Sequence, residues 1–304
     1  MDISQMPRNR RIAFLQIVAL LGLAALLLAC ANREGVVFEG PSMHGSIIVE
    51  DSAEGLRTLM FERNGARQSV VKLGDPDHLE LSYARTVLAG LPLGGKLRRM
   101  LVLGLGGGSL PMFLHHNFPD ALIEVVEIDP AVAAVAKQFF NVREDDRLRI
   151  RLGDARKFVE DSPPGIYDLI IVDAFGANSV PAHLSTREFS LALRRAVAPD
   201  GVVIANLWRR AFNAAYDSMV LTYQSVFEQI IVLDVRADVN SIVLALPRKT
   251  PISREYLTQM AGDLARSRNF RVDLADLVKS AFKDIESLEL DGSVIRDPQT
   301  RQRP

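Results

Sequence analysis

Three carboxylates, Glu127, Asp154 and Asp173, each follow a short strand-like run, and the glycine-rich segment Gly104-Leu105-Gly106-Gly107-Gly108-Ser109 follows another. Glycines in such a loop let backbone approach a ligand closely, and the helix expected after it offers unpaired N–H groups. Glu127 stands about twenty residues past the loop, the spacing of an acid that accepts hydrogen bonds from ribose hydroxyls. Asp154, within Gly153-Asp154-Ala155, suits an adenine amino group, and Asp173 reaches the same edge. Each has a plainer reading too: Glu127 and Asp154 suit helix capping or a solvated strand end, Asp173 suits a structural cap, and the loop suits a turn.

These residues need a sheet whose strands end together. Met100-Leu101-Val102-Leu103 reads as a buried parallel strand, Leu122 to Val126 as a second, Arg149 to Leu152 as a third and Tyr167 to Val172 as a fourth. Beyond Asp173 come a helix around Thr186 to Ala198, a strand Gly201 to Asn206 and a helix around Ala211 to Phe227. Strands Ile230 to Val235 and Ser241 to Leu246 then pair antiparallel. Before the sheet, Asp75 to Leu93 reads as a helix. Gly35 to about Leu73 holds short runs broken by turn residues such as Asn64-Gly65, the marks of a small antiparallel unit. The expected architecture is α/β: a seven-stranded methyltransferase-like (Rossmann-like) sheet preceded by a small antiparallel β domain. Its divisions are 1–29, 30–74, 75–250 and a helical extension with a polar tail at 251–304, in which no chemistry is read.

With 304 residues, 48% hydrophobic, the chain is large enough for such a core. A net charge of −1 excludes a general attraction to nucleic acid, and the basic clusters Lys96 to Arg99 and Trp208-Arg209-Arg210 read as solvated faces. His115-His116 and His183 lack metal-ligand spacing and read as ordinary surface or loop histidines, so no metal is expected. At the amino terminus Arg8, Arg10 and Arg11 precede an apolar run from Ile12 to Ala29, the order of a secretory signal. Leu27-Leu28-Ala29-Cys30 resembles a bacterial lipobox, which implies acylation of Cys30 and a lipid-anchored envelope protein, in the outer membrane by preference. An uncleaved inner-membrane anchor is the alternative. Cys30 is the sole cysteine, which excludes intramolecular disulfides.

From Gly35 to Leu246 the chain resembles the spermidine synthase family of aminopropyltransferases, relatives of class I methyltransferases. The likeness rests on Tyr83, Leu91-Pro92-Leu93, the loop Gly104 to Gly108, Val126-Glu127-Ile128-Asp129, Gly153-Asp154-Ala155, Tyr167 to Asp173, Pro181-Ala182-His183-Leu184 and Glu188-Phe189. It implies transfer of an aminopropyl group from decarboxylated S-adenosylmethionine to an amine acceptor, with methylthioadenosine released. By the resemblance Asp173 is the base and Tyr83 orients the acceptor. Gly104, Gly106, Gly107, Gly108, Glu127, Asp154 and Ala155 hold the donor. A homodimer through the amino-terminal strands is also compatible with it.

Four departures bear on the acceptor. An acid usual in the family loop is Gly107 here, a second after the catalytic strand is Gly176, an upstream glutamine finds no match at Gly74, and a glutamate after the tyrosine is Arg85. Losing charged hydrogen bonds weakens the hold on a dication. Arg85 would instead meet an anionic substrate or, more simply, Asp77 or Glu80. Two other readings share the donor site: a methyltransferase using S-adenosylmethionine itself, and a non-catalytic protein binding a nucleoside or polyamine at the envelope.

Overall fold

The computed structural model describes residues 35–43, 45–175, 180–235 and 238–298. The apolar run and Cys30 lie outside them, as does Gly176. Among the described residues no helix is long and apolar enough to cross a membrane.

Strands β1 (Gly35–Ser42), β2 (Gly45–Asp51), β3 (Leu56–Met60) and β4 (Arg67–Lys72) form an antiparallel sheet in that order. Its inner side chains Ile47, Val49 and Leu59 are buried in the core of the following sheet, so the small unit packs on the large one. Arg57 ties the two together: it forks onto Asp51 at 2.6 Å and donates to the Phe139 carbonyl at 2.6 Å.

The expected helix from Asp75 is shorter than read. Helix α1 covers Ser82–Val87 and tightens into a 3-10 turn over Leu88–Leu93 that contains Pro92. Residues 75–81 stay irregular because tertiary bonds claim their side chains: Asp75 accepts from Arg271 at 2.7 Å and Asp77 from Asn117 at 2.8 Å.

The large sheet is built from β5 (Arg99–Leu103), β6 (Leu122–Glu127), β7 (Leu148–Leu152), β8 (Tyr167–Val172), β9 (Val197–Trp208), β10 (Gln229–Asp234), β11 (Asn240–Leu246) and β12 (Phe282–Lys283). Its order is β12-β10-β11-β9-β8-β5-β6-β7. β5 to β9 are parallel, and β10 and β11 run antiparallel as expected. The sheet has eight strands instead of seven, since two residues of the carboxy-terminal extension pair with β10. A two-residue strand carries no periodic signal, so only its pairing reveals it.

The interleaved helices are α2 (Ser109–Asn117), α3 (Pro130–Phe139), α4 (Ala155–Asp161), α5 (Arg187–Ala196) and α6 (Tyr216–Gln224), followed by α7 (Arg254–Arg268) and α8 (Leu274–Ala281). Successive residues of β5 face opposite layers: Met100 and Val102 enter one core, Leu101 and Leu103 the other. Burial on both faces explains why these strands read as unbroken apolar runs. The tail beyond α8 is docked, with Leu288, Leu290 and Ile295 packed on the second core.

Candidate active site

β5 lies between β8 and β6, the place where the winding of the sheet reverses and strand ends diverge. A cavity of about 380 Å³ opens there, lined by Gly104, Gly106, Glu127, Asp154, Ala155, Asp173 and Tyr83 among others. That volume suits a nucleoside-sized ligand.

The loop glycines divide by role. Gly104 has φ +103°, and a β-carbon on it would stand 2.3 Å from the Asp173 carbonyl oxygen, so a side chain there would force β5 and β8 apart. Gly108, at φ +79°, opens α2 while its would-be β-carbon meets Val142 at 2.4 Å. Gly107 and Gly108 stand behind the cavity wall instead of lining it. The room an acidic side chain would take at Gly107 holds Phe140, at 2.8 Å, and the Ser69 hydroxyl, at 2.9 Å.

Glu127 is buried at the end of β6 and accepts from the Leu105 amide at 3.0 Å and the Asp129 amide at 2.9 Å. These bonds clamp the carboxylate to the glycine loop with an edge on the cavity. Asp129 does structural work: it caps α3 through the Ala131 amide at 2.8 Å and accepts from the Ser42 hydroxyl at 2.7 Å and the Met43 amide at 2.8 Å. Asp154 fulfils part of its plainer reading, capping α4 through the Lys157 amide at 3.0 Å, yet it also lines the cavity. Its other oxygen meets His183 Nε2 at 3.0 Å. His183 is therefore a cavity residue instead of an ordinary loop histidine.

On the opposite wall, Asp173 accepts from the Tyr83 hydroxyl at 3.2 Å and from Asn206 Nδ2 at 2.9 Å. Asn206 in turn accepts from Asn240 at 2.8 Å. Desolvation raises the Asp173 carboxyl from 3.8 to about 6, against the two hydrogen bonds, which favour its charged form. Burial, then the Asp173 charge, pushes the Tyr83 phenol well above its ordinary value, so it remains a donor. The pair thus reads as a desolvated carboxylate poised to take a proton and oriented by two donors.

Sequence reasoning missed Asn206 and Asn240. An amide closing the apolar run Gly201 to Ala205 was the available signal for the first, which stands one step past the Val172–Ala205 pair, alongside Asp173. Asn240 comes from an antiparallel neighbour and gave none. Trp208, read as part of a solvated basic cluster, lines the cavity and stacks on Phe175 with ring centroids 5.6 Å apart. A glutamine also lines it, Gln68 on β4, whereas Gly74 does not. Arg85 pairs with neither Asp77 nor Glu80, donating instead to the Leu79 carbonyl at 3.2 Å and the Ser82 hydroxyl at 3.1 Å. His115 and His116 face Asp145 and Asp77, and no metal-binding cluster exists among the described residues.

Residues 81–230 match the spermine/spermidine synthase domain. A polyamine aminopropyltransferase of Vibrio vulnificus is 31% identical over 259 residues, 82% of this chain and 85% of that protein. An eEF1A lysine and N-terminal methyltransferase of Bos taurus is 31% identical over 211 residues, 64% of this chain and 30% of that longer protein. Among solved structures, a probable spermidine synthase from Corynebacterium glutamicum superimposes with a TM-score of 0.69 at 22% identity, covering 90% of this chain and 99% of the other. Human methyltransferase-like protein 13, in complex with SAH, gives 0.56 at 28% identity, covering 62% and 93%.

Proposed function

The chain belongs to the spermidine synthase family, and on that premise we propose that it transfers an aminopropyl group from decarboxylated S-adenosylmethionine to an amine acceptor. The observation that carries this reading is the Asp173 carboxylate, held by Tyr83 and Asn206 across one cavity from Glu127. In the proposed reaction the acceptor nitrogen attacks the carbon bonded to the sulfonium. As the new carbon–nitrogen bond forms, the carbon–sulfur bond breaks and its electron pair leaves with neutral methylthioadenosine. The nitrogen then gives its extra proton to Asp173, whose raised pKa suits it to act as base near neutral pH. Glu127 would hold the ribose hydroxyls and Asp154 the adenine amino group.

We read the acceptor site as altered. Phe140 and Ser69 take the space of an acid at Gly107, while the Phe175 and Trp208 stack offers an aromatic face to a cation. An amine with one positive charge beside an apolar stretch suits that wall better than a compact dication. The likeness to methyltransferases supports a second reading, methyl transfer from S-adenosylmethionine at the same donor site. A third part of the proposal is attachment to the cell envelope through acylated Cys30, supported by the charged and apolar residues before it.

Calorimetric titration of the full chain with methylthioadenosine, S-adenosylmethionine and decarboxylated S-adenosylmethionine tests the donor. Micromolar binding of the decarboxylated form, weakened by Glu127→Ala by about tenfold or more, is expected. Preference for S-adenosylmethionine would favour methyl transfer, and failure of all three to bind would leave a non-catalytic relative.

A further inference from the structure

The tail after β12 carries no motif, yet it reaches Arg156, next in the chain to the cavity-lining residues Asp154 and Ala155. Its main chain is pinned to side chains of the domain: the Asp291 amide donates to Asp217 at 3.2 Å, the Ser293 amide to Ser218 at 3.1 Å, the Ile295 amide to Thr222 at 2.9 Å and the Asp297 amide to Glu188 at 2.9 Å, while Arg210 donates to the Glu289 carbonyl at 2.6 Å. The Arg187 amide returns a bond to the Ile295 carbonyl at 2.8 Å. The segment lies as a strap along α5 and α6, and it delivers the Asp297 carboxylate to Arg156, two residues past Asp154.

Arg156 is a junction. Its guanidinium forks onto Asp297, with Nη1 at 2.7 Å from one oxygen and Nη2 on the other. The same Nη1 donates to the His183 carbonyl at 3.2 Å, and Nε holds Glu160 at 2.7 Å. The guanidinium holds the Asp297 carboxyl below the usual carboxylate range. From the backbone so fixed, the His183 imidazole reaches Asp154 at 3.0 Å. The connection thus runs from Asp297 through Arg156 and His183 to Asp154, with one member on the tail and two on the cavity wall.

We propose that this strap is part of the donor site: Asp297, acting through Arg156, sets the His183 loop, and His183 fixes the Asp154 carboxylate in the orientation that receives a purine amino group. Asp154 and His183 are well exposed, with 37% and 43% of their side-chain surfaces accessible, so without partners both would sample several rotamers. A carboxylate already held by the Lys157 amide on one oxygen and by His183 on the other loses less freedom on meeting its ligand, and that saving appears as affinity. His183 and Asp297 are positioning residues. The inference rests on the donor reading given above.

The test is calorimetric titration of the full chain with methylthioadenosine, for the wild type, His183→Ala, Asp297→Asn, the double variant and His183→Gln. Weakening of about five- to tenfold is expected for either single change, the scale of one lost orienting hydrogen bond. Because both act along one connection, the double variant should bind about as weakly as the weaker single variant. His183→Gln, which keeps an N–H to offer Asp154, should recover most of the affinity. In turnover the donor KM should rise while kcat holds. A wild type that binds alongside variants of equal affinity overturns the strap alone, as do losses that multiply in the double variant. A wild type that does not bind overturns the donor reading, and this inference with it. His183→Ala changes an exposed side chain, so the result stands even where Asp297→Asn folds poorly.

Discussion

Asp173 is the residue on which chemistry and stability make opposite demands. Desolvation raises its carboxyl from 3.8 to about 6, so the folded protein carries a charge there at neutral pH that it would hold more cheaply as the neutral acid. The folded value lies above the unfolded one. This group's contribution to stability is therefore complete below about pH 4 and is lost as pH rises through about 6. Asp173→Asn removes the titration: in chemical denaturation, its stability relative to the wild type should improve by roughly 2–3 kcal/mol between pH 4 and pH 8. A pH-independent difference would refute the perturbed carboxyl. For turnover the same group is needed charged, so wild-type kcat/KM should climb as pH passes through about 6. Asp173→Asn should fall by about a hundredfold or more at neutral pH while retaining donor affinity. Asp173 and Tyr83 were legible as single residues in a family-like pattern, whereas the amides that complete their network were not. Asn206 and Asn240 have no distinctive spacing in the chain, and only the strand order β8-β9-β11 brings them to the carboxylate.

At the level of elements, the glycine loop works because two strand ends approach too closely for any side chain between them. Gly104→Ala combines a left-handed backbone at φ +103° with a contact of 2.3 Å to the Asp173 carbonyl. A loss of about 2–4 kcal/mol is expected in equilibrium unfolding, with donor binding impaired even in the folded fraction. Gly55→Ala provides the control, since φ is +76° but nothing lies within 4 Å of the added carbon, and it should cost only the backbone share. Equal losses would mean that the crowding against Asp173 is unimportant. The loop's composition announced a close approach without saying to what. The reading of Asp75 to Leu93 as one helix went astray for the reverse reason: its residues permit a helix, but bonds from Arg271 and Asn117 hold Asp75 and Asp77 elsewhere. Local preference is weak beside such tertiary anchors.

Across the whole molecule, the small sheet and the large sheet meet at one cavity, to which β4 brings Gln68 and the β6 end Glu127, while the tail holds Arg156 and through it the His183 carbonyl from outside the lining. The lipid anchor proposed at Cys30 would fix this assembly to a membrane. Cys30→Ser should shift the protein from the membrane fraction to the soluble one and abolish incorporation of labelled fatty acid; retention with no label in the wild type would sink the lipoprotein reading. The chain by itself determined the α/β alternation, the parallel strands and the acids at their ends, because burial on both faces and tight turns leave marks on neighbouring residues. It also carried the family likeness. Only the tertiary structure decided that His183 faces Asp154, that Gln68 and Trp208 line the cavity, that Phe140 and Ser69 fill the room beside Gly107, and that the tail docks on Arg156. Those contacts join residues far apart in sequence, and a side chain's partner across such a distance is set by how the layers pack, which no local pattern records.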